Sequence, residues 1–299
     1  MAAPSDNECT YVTVAVVRRD SVFLLVEPPA RASKQMSTML FWDGAVTGQD
    51  DFGFQASYLA SLPGVELSIV GVEGEVECSR HTAEGGVDFS GHVDPTETGP
   101  SGRGWLRDAR YIDGRLYAVG MSRQAYVRDP RDVWHHVEGA MLAELGAIAG
   151  LNCIGGFSDN EIYAAGLNGE IWRYDGSVWT QLVSPTNVQL NAMRRCGDFV
   201  YIVGSSGVVL RGRHDHFEVI ATADDSDNLY AVTGFGADVY LASMRKLYKL
   251  QADYLEEVDT GLGEITAGAL DANDGVLWSV GAHHLITTED GQSWAQLFT

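Results

Sequence analysis

The sequence predicts an all-β fold, a seven-bladed β-propeller, with six blades plus an irregular N-terminal element as the runner-up. Three observations carry this expectation. An apolar strand ending on a small residue recurs along the chain, as in Leu116-Tyr117-Ala118-Val119-Gly120 and Val200-Tyr201-Ile202-Val203-Gly204. A second landmark, an aromatic followed three or four positions later by an aliphatic, drifts in step with the first. Glycine is abundant, 34 residues against 8 prolines, and falls between the apolar runs where tight turns need it. A repeat of about 40 residues holding four short strands has the period of a propeller blade. Such a sheet is apolar on both faces, and stacking radially around a channel buries both.

Taken in order, the blades are expected at 11–46, 54–93, 105–137, 148–182, 189–220, 228–258 and 265–298, all in one domain. The first has a weak strand copy, Val22-Phe23-Leu24-Leu25-Val26, an insertion from Glu27 to Thr38 containing Pro28-Pro29, and Trp42 with Val46 as its aromatic pair. The second carries Leu67-Ser68-Ile69-Val70-Gly71 and pairs Phe89 with Val93; a Pro/Gly/Ser linker follows from Asp94 to Gly104. The third turns at Asp113-Gly114 and ends on Trp134 and Val137, with up to two helical turns expected over Glu138–Ala147. The fourth carries Ile162–Gly166 and Trp179 with Leu182; the fifth turns at Gly197-Asp198 and pairs Phe217 with Ile220. In the sixth Leu255 takes the aromatic place, and the seventh turns at Asp274-Gly275 and ends on Trp294 with Leu297. The chain is expected to start on an innermost strand and end on an outermost one, so that side-chain packing alone closes the ring.

The last turn, Thr287-Thr288-Glu289-Asp290-Gly291-Gln292-Ser293-Trp294, resembles the Asp-box of BNR-type propellers, with Glu289 where the family has Asp. Blades four to seven are also similar to sortilin-like and photosystem assembly-factor-like propellers. The resemblance implies a structural role for Glu289, which would cap the turn, and for Trp294, which would pack between blades. Trp134, Trp179 and Phe217 are the equivalent packing residues upstream.

Composition narrows function. A formal charge of −21 disfavours binding to nucleic acid and favours a basic protein partner. The four cysteines have neither zinc-ligand nor redox-motif spacing and read as buried thiols in a reducing, cytoplasmic setting. No apolar run is long enough for a membrane span, and the N-terminus does not read as a signal peptide. The close histidine pairs, His135-His136, His214-Asp215-His216 and His283-His284, lack further local ligands, so neither metal nor cofactor is expected. Neither a nucleophile elbow nor a phosphate loop is convincing, and the inner-strand residues Asn152, Asn191, Arg194 and Thr266 form no catalytic set.

The expected function is therefore a non-catalytic protein-binding propeller, monomeric when free, in the sharpest form a bacterial immunity or inhibitor protein that neutralises a toxin or enzyme through an acidic face. A glycan-binding or glycoside-hydrolase-like channel and an assembly scaffold are the alternatives. Acids concentrate in the blade-to-blade linkers: Asp50-Asp51, Asp224, Asp225, Asp227, Asp259 and Glu264. Seven arginines between Arg103 and Arg131 would give a basic sector on the third blade. The expected contact residues are these linker acids from Asp224 onward with Arg123, Arg245, His283 and His284.

Overall fold

A computed structural model describes residues 10–27, 37–82, 85–223 and 227–297, and these form seven four-stranded antiparallel sheets. Blade 1 comprises β1 (Thr10–Arg18), β2 (Ser21–Glu27), β3 (Ser37–Trp42) and β4 (Val46–Phe52). Blade 2 comprises β5 (Ala56–Leu62), β6 (Glu66–Gly71), β7 (Glu75–Thr82) and β8 (Gly85–His92). Blade 3 comprises β9 (Leu106–Ile112), β10 (Arg115–Gly120), β11 (Ala125–Arg128) and β12 (Trp134–His136). Blade 4 comprises β13 (Leu151–Ser158), β14 (Glu161–Gly166), β15 (Ile171–Tyr174) and β16 (Trp179–Leu182). Blade 5 comprises β17 (Leu190–Cys196), β18 (Phe199–Gly204), β19 (Val208–Arg213) and β20 (His216–Thr222). Blade 6 comprises β21 (Ala231–Phe235), β22 (Asp238–Ala242), β23 (Leu247–Leu250) and β24 (Leu255–Glu257). Blade 7 comprises β25 (Ala269–Asn273), β26 (Val276–Val280), β27 (Leu285–Thr288) and β28 (Ala295–Leu297).

Each sheet is a simple meander from an inner to an outer strand. Its two-residue hairpins need positive φ, and Asp113-Gly114 (50° and 77°) and Asp274-Gly275 (50° and 74°) supply it. The meander sends the linkers between blades to the same end of the ring as the turns between second and third strands. Backbone bonds fasten the two together there: Ala143 N–H donates to the Ser122 carbonyl, Ala223 N–H to Gly207 and Ala267 N–H to Met244, each at 2.9 Å.

The core is distributed around the ring, with one hydrophobic cluster between each pair of neighbouring blades. Leu106, Leu151, Leu190 and Leu229, each fully buried, mark the start of successive inner strands. Asn152 Nδ2 donates to the Leu190 carbonyl (2.9 Å), and Asn191, at the same repeat position, donates to Leu229 (2.8 Å). Both amides thus tie neighbouring blades together.

Blade 1 closes on blade 7 without sharing a strand. Trp42 packs edge-on against Trp278 with centroids 4.9 Å apart. Val16 N–H donates to Asp271 Oδ2 (2.8 Å), Asn273 Nδ2 donates to the Val17 carbonyl (2.7 Å), and Arg19 pairs with Glu289 (3.2 Å).

Some local expectations change. Asp50 and Asp51 lie on β4, not in a linker. The stretch Glu138–Ala147 holds one 3-10 turn, Gly139–Met141, the shorter of the expected forms, while the preceding linker contains an unexpected short helix, α1 (Pro100–Arg103). Most of the blade 1 insertion, 28–36, lies outside the described residues. Glu289 does not cap the last turn: it is exposed and faces Arg19. Asp290 is the cap, accepting N–H bonds from Gln292 (2.8 Å) and Ser293 (2.7 Å). Those bonds, that from Ser293 foremost, hold its carboxyl down at about 2.

Candidate functional site

Binding surfaces of propellers are made of turns, so the linker end is the place to assemble the site from its residues. Asp224 and Asp225 lie outside the described residues. Asp227 is half-buried and accepts the Tyr248 hydroxyl at 3.1 Å. Asp259 is exposed, although Oδ1 is spent on the Gly261 N–H of its own turn (2.9 Å); Glu264 and Arg245 are also exposed. Arg123 is held in place. Its Nε donates to Glu170 (2.7 Å) and its guanidinium lies 5.4 Å from the Trp172 ring centroid.

The histidine pair divides. His283 is exposed, and its N–H donates to Thr266 Oγ1. His284 turns inward, where Nδ1 accepts the Thr266 N–H at 2.9 Å, which leaves the neutral ring's proton on Nε2. Its half-buried ring therefore fastens the last linker through Thr266.

The charge pattern also differs from expectation. Glu73, Glu97 and Glu144 add exposed acids to the linker end. The opposite end is acidic too, with Asp113, Asp159, Asp198 and Asp274 in its inner turns, but there arginines neutralise much of the charge, as in Arg115–Asp159 (3.2 Å) and Arg173–Asp215 (2.8 Å). No basic sector forms on blade 3. Arg128 is buried against blade 2, Arg110 lines the channel, Arg115 and Arg131 project at the opposite end, and only Arg103, Arg107 and Arg123 reach the linker end.

What sequence reasoning missed is apolar. Trp105 (43% exposed), Leu145 (76%), Ile148 (85%), Val183 (88%) and Tyr230 (40%) stand on four successive linkers, and Met244 (51%) on the adjoining turn of blade 6. The topology places all six at the linker end over blades 3 to 6. The opposite end carries five exposed apolar residues, Val65, Val133, Val178, Phe199 and Tyr254, one to a hairpin on each of blades 2 to 6. The linker end differs in gathering six on four successive linkers and an adjoining turn, three of them more than 75% exposed, beside exposed carboxylates, the composition of a protein-docking surface. Linkers have no strand periodicity, so only the fold could collect them.

Two linkers at this end meet at His136. Nδ1 bonds Glu138 (2.8 Å) and Nε2 bonds Asp94 (3.0 Å), the latter 42 positions away and invisible to the local sequence. Burial works against charge on the ring, but the two carboxylates outweigh it and raise its pKa. The raised value makes this contribution complete below the unfolded pKa of about 6.5 and lost as pH rises through the folded value. Wild-type protein should therefore show a thermal midpoint that declines from pH 6 to pH 8, and His136→Gln should flatten that decline. With the ring 43% exposed, screening keeps the effect below about 1 kcal/mol.

The central channel holds two confluent cavities of about 680 and 220 Å³, both lined by Arg110 and Arg194. Arg110 Nε bonds Asp108 (3.1 Å) and Arg194 Nη2 bonds Asp271 (2.7 Å), while Asp108 and Asp271 also accept backbone N–H groups. These charges are engaged in pairs that brace the inner strands. Among the described residues no cluster of His, Cys, Asp and Glu could hold a metal ion.

Comparison with known proteins agrees with this architecture. No family model matches the chain. Among solved structures, the WD40 propeller domain of Doa1 superposes with a TM-score of 0.69 at 14% identity, covering 96% of this chain and 95% of that one. YCF48 bound to a D1 peptide superposes with a TM-score of 0.66 at 12% identity, covering 100% and 96%, and YCF48 from Cyanidioschyzon merolae with 0.66 at 11%, covering 94% and 95%. At such identities these show the fold alone, a seven-bladed propeller. A curated relative is much nearer: the immune protein Tsi7 of Pseudomonas aeruginosa is 36% identical over 270 residues, 86% of each chain. Identity at that level, sustained almost around the whole ring, means that the chain belongs to the family of the immune protein Tsi7.

Proposed function

We propose that this protein is an immunity protein that neutralises a toxin by binding it, without chemistry of its own, and that the linker end over blades 3 to 6 is its docking face. The likeness to Tsi7 carries the reading of purpose. The exposed linker residues Trp105, Leu145, Ile148, Val183, Tyr230 and Met244 support the choice of face, because large apolar and aromatic side chains at the centre of an interface supply most of its binding energy. Exposed acids there, Glu73, Glu97, Glu144, Asp259 and Glu264, favour a partner with a basic rim and speed its association at low salt. An enzymatic or glycan-binding channel is less well supported, since Arg110 and Arg194 are already committed to Asp108 and Asp271.

The test is co-expression with a toxin encoded beside the gene. Wild-type protein should restore growth and co-purify with the toxin. Ile148→Arg combined with Val183→Arg should leave folding intact, both side chains being more than 80% exposed, and weaken binding by at least about 100-fold. Unchanged affinity would move the docking face elsewhere; failure of wild type to protect would remove the immunity reading itself.

A further inference from the structure

Five of the seven blades fill one position with a bulky side chain. The count starts at the third-strand residue that pairs with the one before the small residue closing the second strand: Ala125, Ile171, Val209 and Leu247. Three residues beyond it, the outer strand presents Trp134 opposite Arg128, Trp179 opposite Tyr174, Phe217 opposite Gly212 and Leu255 opposite Leu250. In blade 7 the same count from Leu285 reaches Thr288, and Trp294, just before β28, stands beside it. These side chains pack toward the preceding blade: Trp179 Nε1 donates to the Val137 carbonyl of blade 3 (3.0 Å), and Trp294 meets Tyr240 of blade 6.

Blade 2 breaks the rule. The count from Val76 reaches Ser79, whose partner is Asp88. Phe89, the aromatic of this segment, is one residue away and so on the other face of the sheet, stacked with Arg80 and Arg128 toward blade 3. With no bulky side chain to fill it, the outer part of the interface between blades 1 and 2 opens into a cleft of about 740 Å³.

The walls of this cleft differ in character. Phe23 and Met39 of blade 1 and Leu67 of blade 2 give it an apolar floor. Its rim carries Asp50, Asp51 and Asp88, all exposed, and half-buried Glu77. The one lining arginine, Arg18, leans on Asp20 (3.7 Å), and no described lysine or arginine forms an ion pair with the four rim carboxylates.

We propose that the cleft between blades 1 and 2 is a second docking site, which takes an extended segment of a partner protein carrying a lysine or arginine beside an aromatic side chain. The aromatic ring enters where blade 2 lacks its own filler, and the cation meets Asp88 and Asp50. Asp50 shares the cleft face of β4 with Phe52 and pairs with Met39, whereas Asp51 turns to the other face, bonded to Thr38 (2.6 Å), and adds charge at the rim. A ring and an adjacent charge read two features of the cleft at once, which is how a modest surface gains selectivity. The site lies on the flank of the ring, apart from the linker end, and adds to the immunity reading without depending on it.

The probe is the peptide acetyl-Lys-Trp-Lys-amide, titrated calorimetrically into the full chain at low salt, with acetyl-Glu-Trp-Glu-amide as the charge-reversed control. The lysine peptide should bind and the glutamate peptide should not. Asp88→Trp restores the missing filler, so it should raise the thermal midpoint by about 2–4 °C while weakening the lysine peptide at least about tenfold. Asp50→Lys with Asp51→Lys leaves the cavity open and should weaken it comparably. Equal binding of both peptides, or binding indifferent to Asp88→Trp in a protein whose midpoint is not lowered, overturns the proposal. If Asp88→Trp fails to fold, the Asp50/Asp51 variant alone decides, and undiminished binding to it counts against the cleft. Loss of toxin protection by wild type would bear only on the immunity reading, because the peptide titration judges the cleft separately.

Discussion

Glu66→Ala should lower the unfolding free energy by about 3–5 kcal/mol, one of the two largest single losses expected in this protein. Glu66 is 5% exposed and is the hub of a network joining blades 2 and 3. It accepts bonds from Arg80 Nε (2.5 Å), Arg128 Nη2, the Tyr111 hydroxyl and Ser68 Oγ (3.0 Å). Arg128 is itself only 6% exposed, so removing the carboxylate strands a guanidinium in the interior with Cys78, Tyr111 and a distant Asp132. Arg80 suffers less, because Asp132 still holds it in a two-point grip (2.6 and 3.1 Å). The loss reflects an abandoned charge more than the worth of the pair, so Glu66→Leu with Arg128→Met should recover much of it. Urea titration of the two variants tests this, and equal stability of both would contradict it.

The same network sets an acid limit. Burial alone would raise the Glu66 carboxyl, but bonds from Tyr111, Arg128 and Arg80 hold it down at about 2. A carboxylate depressed in the folded state contributes its full stability above its unfolded pKa of about 4.5 and loses it as pH falls from there toward 2. Wild type should therefore become markedly less resistant to urea between pH 4.5 and pH 2.5, and the Leu/Met pair should lose part of that dependence.

The network also shows what a sequence can reveal. Strand repeats and their aromatic landmarks are local, and a period of about 40 residues is visible without any knowledge of contacts. Glu66 and Arg128 are 62 positions apart, and nothing in either neighbourhood announces that they meet. Phe89 illustrates a finer limit. It fell within the spacing of the aromatic series, yet a shift of one residue along a strand turns a side chain to the opposite face, and only the pairing of Asp88 with Ser79 settles which face each takes. The final turn has the same ambiguity: Glu289 and Asp290 both suit a capping role by composition, and the chain uses Asp290. The exposed apolar linkers were illegible for another reason. Leu145, Ile148 and Val183 lie in irregular segments where hydrophobicity carries no period, and they acquire meaning only when the ring brings four linkers to one end.

Trp294→Ala should destabilise the fold by about 3–5 kcal/mol, the range for truncating a large aromatic in a core. The ring is 9% exposed and packs between blades 6 and 7 with Leu277, Ile286 and Leu270, its centroid 6.4 Å from that of Tyr240 in an edge-on arrangement. Its Nε1 has no hydrogen-bond partner among the described residues, so the contribution is packing rather than polar anchoring. Trp294→Phe should therefore retain most of the stability, which separates lost contact from a lost hydrogen bond. Position matters as well as area. Trp294 sits at the outer edge of the last blade, one interface from the seam where blade 7 closes on blade 1 through Trp42, Trp278 and Asp271. A loosened blade 7 presents a poorer surface to blade 1, and no shared strand holds that seam. Trp294→Ala should consequently increase amide exchange in β1 and β2 as well as in β27 and β28, whereas Phe217→Ala, remote from the seam, should raise it chiefly in blades 4 and 5. The linker end over blades 3 to 6 is untouched by either change at its own residues, so folded molecules of Trp294→Ala should bind the partner with unaltered affinity; a loss of affinity in the folded fraction would mean that blade 7 contributes to docking directly.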